Sequence, residues 1–164
     1  SAILAGKLGD GLMPYLTPRE HLPILFDYAL NAFTGVDENF NCVLSIPTFV
    51  SDNKMAALSA AKYNLAFFAQ LPNYRRQWRR AGYKSAINQL KSIWTTSKDR
   101  HKAAKVVPSE LVEQVCLFGS PDDCRSQMEK FHQSGAKEII LAVSPVDTNR
   151  QSATEDALTQ LIRK

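Results

Sequence analysis

The chain has few glycines and cysteines and no excess of proline. Seven glycines and eight prolines in 164 residues exclude a collagen-like or low-complexity protein, in which such residues dominate. Cys42, Cys116 and Cys124 are odd in number and include no CxxC pair. Neither a disulfide framework nor a zinc ribbon follows, and a reducing compartment fits best. No apolar run approaches the roughly 18 to 20 residues of a membrane-crossing helix. The opening SAILAGKLGDG lacks the basic region, apolar core and cleavage site of a secretion signal. The sequence therefore reads as cytoplasmic, with no membrane partner. Hydrophobic residues make up 45% and charged residues 22%, the balance of a folded soluble protein. No repeat or linker divides the chain, so residues 1–164 read as a single domain.

The usual constellations of catalysis are also missing. His21, His101 and His132 are far apart in sequence, so no HExxH or facial triad forms at local spacing and no metal site is expected. There is no GxSxG, P-loop or GxGxxG motif, and no catalytic residue is assigned. AGKLGDG has three glycines but follows a helical pattern and precedes a strand, the reverse of the dinucleotide-binding order. Its glycines read as a helix end and a turn. Cys124 falls on the inner face of a capped helix and reads as a small hydrophobe rather than a nucleophile.

What is present alternates. Residues 11–15 (GLMPY), 42–50 (CVLSIPTFV) and 138–143 (EIILAV) read as strands, each followed by a helical pattern, which gives a parallel sheet with helices outside it. Pro47 should then sit near an end of its strand or at a bulge. Ser51, Asp52 and Asn53 offer caps for a helix to about Leu71, with Met55, Leu58, Leu65 and Phe68 on one face. Gly119, Ser120, Pro121, Asp122 and Asp123 form a second start signal and Gly135 its stop, with Cys124, Met128 and Phe131 as the buried stripe. Further helices are expected over 19–33, once or twice within 74–94, and from about Ala153.

The net charge of +4 is unevenly spread. Residues 75–105 hold ten basic residues, Arg75, Arg76, Arg79, Arg80 and Lys105 among them, against the single acid Asp99. The run NYRRQWRRAGYK interleaves aromatics with these cations, as a stacking platform for nucleic acid would. It equally describes a solvated helix face. No recognisable base-reading motif accompanies it, so the solvated face is the favoured reading and nucleic acid is not expected as a partner; the alternative is a non-catalytic α/β module that binds a partner or nucleic acid through the Arg75 to Lys105 surface.

Three stretches carry a resemblance. SAILAGKLGDGLM, FVSDNKMAALSAAKYNLAFFAQLPNYRRQWRRAGY and VPSELVEQVCLFGSPDDCRSQMEKFHQSGAKEIILAV resemble, in the same order, segments of the luciferase-like monooxygenase superfamily, from Ser1 to about Val146. The resemblance implies an α/β fold, a TIM-type (β/α)8 barrel with FMN or coenzyme F420 at the C-terminal ends of its strands, and oxidation or reduction of a small organic substrate. It places Ser1 at the first turn of a helix, where a hydroxyl and free N–H groups hold the cofactor phosphate. A whole barrel takes about 250 residues. The chain thus corresponds to the C-terminal strands and helices of one, expected to be inactive alone and to self-associate or pair with the missing half.

Overall fold

The computed structural model describes residues 1–36, 39–146 and 150–162. Four parallel strands, β1 (Gly11–Leu12), β2 (Asn41–Val50), β3 (Leu117–Gly119) and β4 (Glu138–Val143), form one sheet centred on β2. Ser45 pairs with both Tyr15 and Ile140, and Thr48 with both Leu117 and Val143. A strand residue has one partner per edge, so β1 and β3 share one edge of β2 and β4 occupies the other.

That arrangement settles Pro47, which lies in mid-strand opposite Ala142 rather than near an end or at a bulge. The Cys42 and Thr48 carbonyls accept bonds from Lys137 and Ser144 on the β4 side, whereas the Ser45 N–H donates to Pro14 on the other. Backbone groups alternate between edges along a strand. Pro47 therefore turns its missing donor toward the β1 side, into the gap between Tyr15 and β3, where no ladder bond is lost.

The strand faces diverge. Leu12, Cys42, Leu44, Ile46, Ile139 and Leu141 point into a cluster completed by helices α1 (Ala2–Leu8), α2 (Leu22–Leu30) and α8 (Pro121–His132), where Phe26, Cys124 and Phe131 are buried. Burying side chains such as Leu44 or Ile46 is worth about 1.5–3 kcal/mol each. Gly6 lies inside α1, not at its end, because α1 presses on α2. A Cβ there would stand 2.0 Å from the Ala29 oxygen.

The second cluster holds α3 (Lys54–Phe68), α4 (Pro72–Arg80), α5 (Lys84–Thr96), α6 (Arg100–Val106) and α7 (Ser109–Val115), and meets the sheet at the strand ends through Leu16, Phe49 and Phe118. α3 starts where expected: the Asn53 side chain accepts from the Ala56 N–H at 3.1 Å. Its core face is Ala57, Ala61, Leu65 and Ala66, however, and Met55 is exposed. The alanines let neighbouring helices approach closely; of the expected stripe Leu65 is in this core face, Leu58 and Phe68 pack at its margin, and only Met55 points away. Leu71, the expected end of α3, instead precedes Pro72, which opens α4. α6, α7 and β3 were not expected. A single 3-10 turn (Arg19–His21) leads into α2, and α9 (Arg150–Ile162) packs on α8.

Candidate functional site

At the C-terminal ends of β2 and β4 lies a cleft of about 890 Å³. Phe49 supplies its floor, Ser144, Pro145 and Val146 one wall, and α3 the other through Ala56, Ala60 and Tyr63. The location follows from a parallel sheet: all strands finish at one end, and the loops that follow them gather there.

Arg100 is the one charged side chain among the described residues lining this cleft. Asp99 caps α6 through the Lys102 N–H, which fixes the first turn and hence Arg100. The Arg100 Nε donates to the Tyr63 carbonyl at 2.8 Å. Its guanidinium stacks 3.8 Å from the Tyr63 ring centroid and 5.3 Å from that of Phe67. The remaining guanidinium N–H groups stay available, in a fixed plane, to an anion. Beside it, Asn64 Oδ1 is buried with no hydrogen-bond partner. A buried acceptor left unsatisfied costs about 1–3 kcal/mol, which a ligand N–H would recover.

The residues singled out in the sequence lie apart from this pair. Ser1 caps α1 without a side-chain hydrogen bond and does not line the cleft. The turn at Gly9 and Asp10 reverses the chain between α1 and β1, so α1 starts at the end of the sheet where the strands finish. Cys124 is fully buried and its thiol is pushed up to about 12, by burial first and by Asp123 second. Burial raises Cys116 further. Both are small core residues. Among the described residues no group of three His, Cys, Asp or Glu side chains comes together, and no helix is long and apolar enough to cross a membrane.

The basic run is largely the solvated helix face: Arg76, Arg79 and Arg80 are exposed. Its aromatics face inward: Trp78 is fully buried and donates to the Leu16 carbonyl at 3.0 Å, and Tyr74 packs on Tyr15 and Phe68. They offer no stacking platform. Arg75 is not merely solvated, because its Nη1 donates to the Ala69 and Gln70 carbonyls at the end of α3.

The sequence profile of the luciferase-like monooxygenase family matches residues 1–138. The chain belongs to that family. A Mycobacterium tuberculosis protein named as a coenzyme F420-dependent oxidoreductase is 23% identical over 122 residues, covering 71% of this chain and 35% of that protein. The coenzyme F420-dependent tetrahydromethanopterin reductase of Methanopyrus kandleri superposes with a TM-score of 0.73 at 17% identity, over 98% of this chain and 45% of the reductase. An F420-dependent secondary alcohol dehydrogenase, solved with an F420–acetone adduct, gives 0.61 at 17% identity, over 99% of this chain and 46% of that one. The chain has the fold of these enzymes across nearly its whole length, and spans about a third to a half of theirs. As part of a TIM-type barrel, the short sheet with its helices on one face is the expected arrangement.

Asn64 and Arg100 carried little sequence signal. A lone amide within the alanine-rich AAKYNLAFF was visible, but Arg100 stood among the ten basic residues of 75–105 with nothing to set it apart.

Proposed function

We propose that residues 1–164 are one unit, the C-terminal part of a coenzyme F420- or FMN-dependent oxidoreductase acting on a small organic substrate, with the cleft forming part of its cofactor and substrate site. The observation that carries this reading is that one cleft at the strand ends is lined both by Arg100 and by Asn64, whose Oδ1 is unsatisfied. These residues fit a ring cofactor with an anionic tail: Arg100 would hold a phosphate or carboxylate, and Asn64 would accept an imide N–H. The cofactor, when bound, supplies the hydride or electron chemistry. Phe49, Ala60 and Val146 give the cleft apolar lining, which with a ring cofactor seated on it would strengthen the hold of Arg100 on a charge. F420 is favoured over FMN by the relatives' names alone.

In the complete barrel, Arg100→Ala should weaken cofactor or substrate binding about tenfold to a hundredfold, the loss of a charge-assisted hydrogen bond. Fluorescence titration with F420 and with FMN reads it. Affinities for cofactor and substrate both unchanged by the substitution would remove the cleft from the reading. The Ser1 hydroxyl, uncommitted within its own helix, remains proposed for the cofactor phosphate. Ser1→Ala should weaken binding by about 1.5–3 kcal/mol, and an equal dissociation constant would exclude it.

The missing half of the barrel is the proposed partner. Met13, Val43, Ser45 and Ile140 share the strand face opposite the helical cluster, where Met13 is 59% and Ile140 49% exposed. Among the described residues no helix covers that face. A barrel interior filled by the other strands would cover it.

A further inference from the structure

Helices α4 and α5 form a hairpin around a second concavity, about 390 Å³, far in chemistry from the cleft described above. Pro72 and six cations line it: Arg75, Arg76, Arg79, Arg80, Lys84 and Lys91. The sequence holds no Asp or Glu from residue 53 to residue 98. None of the six cations is paired with a carboxylate among the described residues, whose two ion pairs are Lys54 with Asp123 and Arg125 with Asp122.

Two of the guanidiniums are held in place by neutral acceptors. Arg75 donates to the carbonyls that end α3, and Arg79 to Asn88 Oδ1. Neither contact cancels charge; each fixes a fork. Arg76, Arg80, Lys84 and Lys91 are exposed around them. Arg75 and Arg79, Arg76 and Arg80, and Arg76 and Arg79 are three or four residues apart on one helix, where like charges repel. A groove that concentrates this repulsion, without a single acid to relieve it, is matched to a dense counter-charge.

We propose that the α4–α5 groove is a second binding site, for a small molecule carrying two or more phosphate groups. Planar guanidinium forks match phosphate oxygens in pairs. The volume suits a small anion. Nucleic acid is disfavoured because Tyr74, Trp78 and Tyr83 pack toward the core and leave nothing for bases to stack on.

The test is calorimetric titration of the full chain with inorganic tripolyphosphate at fixed ionic strength, against orthophosphate and a 20-nucleotide single strand. Saturable binding of one tripolyphosphate is expected, with orthophosphate at least about tenfold weaker. The triple variant Arg76→Gln, Arg80→Gln, Lys84→Gln should weaken tripolyphosphate at least about tenfold, while Lys98→Gln, Lys102→Gln, Lys105→Gln, equal in charge but outside the groove, should change it less than about twofold. If the groove triple does not melt cooperatively, Arg76→Gln and Lys84→Gln are titrated singly, each expected to weaken binding at least about threefold. No saturable binding, equal losses in the two triples, unchanged affinity in both single variants, or preferential binding of the oligonucleotide would overturn the proposal.

Discussion

Leu16 has a φ of 55°, in the left-handed region that a branched residue seldom visits. It is nonetheless buried at 1% exposure, and its carbonyl accepts from both Trp78 Nε1 and Gln77 Nε2. The packing and the two donors from α4 hold a conformation that the backbone alone disfavours. Trp78→Phe keeps most of the apolar volume and removes one donor, so a loss of about 1–3 kcal/mol is expected from urea unfolding. The arginines of the same helix should separate by role. Arg75→Gln leaves the α3 carbonyls without their charged donor and should cost about 1.5 kcal/mol or more. Arg76→Gln, on an exposed position, should stay within about 0.5 kcal/mol. Equal losses at the two positions would refute the cap. None of this was legible in NYRRQWRRAGYK, where helical spacing tells that aromatics and cations take different faces but not which carbonyls the cations reach.

At the level of elements, punctuation was readable and composition was not. Gly119, Ser120 and Pro121 start α8 where expected. Gly119 adopts a φ of 114°, and a Cβ would stand 2.6 Å from Asp123 Oδ2. Ser120 Oγ accepts from the Asp123 N–H, and the Asp123 carboxylate accepts in return from the Ser120 N–H. Ser120→Ala should cost about 1 kcal/mol in thermal or urea unfolding. Lys54, followed by the Ser120 bonds, holds the Asp123 carboxyl below its usual range. A depressed folded pKa gives stability that is present above the unfolded value and lost as pH falls through the folded one. The difference in stability between the wild type and Asp123→Asn should therefore be constant near neutrality and shrink below about pH 4. Strand β3, by contrast, is three residues, LFG, wedged between two helices, too short for any period to show. α6 and α7 were hidden because their windows are polar and interrupted by Pro108. The alanines in the core of α3 were missed, and Met55 wrongly included, because apolar patterning gives weight to large side chains, whereas close helix packing selects alanine; Leu65, Leu58 and Phe68 were legible.

The molecule as a whole has an alkaline limit built into the seam between its two clusters. Tyr15 follows β1 and packs edge-on against Phe68 and Tyr74. Its phenol is pushed from 10.0 up to about 12 by burial, then by Cys116 and Tyr74. The unfolded chain would release that proton first, so stability is whole below the ordinary value and declines as pH rises from about 10 to 12. Tyr15→Phe should make this part of the denaturation profile shallower, leaving the decline due to Tyr74, Tyr83 and the three buried cysteines, whose protons burial also holds. An unchanged slope would show that Tyr15 ionises as freely in the folded chain.

The position of Pro47 has one more consequence. With the gap beside it lacking a donor, a foreign strand cannot bind along the β1–β3 side of β2 in full register. Among the described residues the unpaired strand edges are instead the outer sides of β1, β3 and β4, at opposite ends of an arc three strands wide. Parallel pairing is directional, so these ends are complementary to each other rather than to themselves. Two copies would bring six strands across where an eight-stranded wall closes, and head-to-tail contacts that do not close grow without limit. Deprived of the rest of a barrel, the chain should polymerise: its weight-average mass in sedimentation should climb with concentration without a plateau, and adding the complementary half should cap the growth at a single heterodimer.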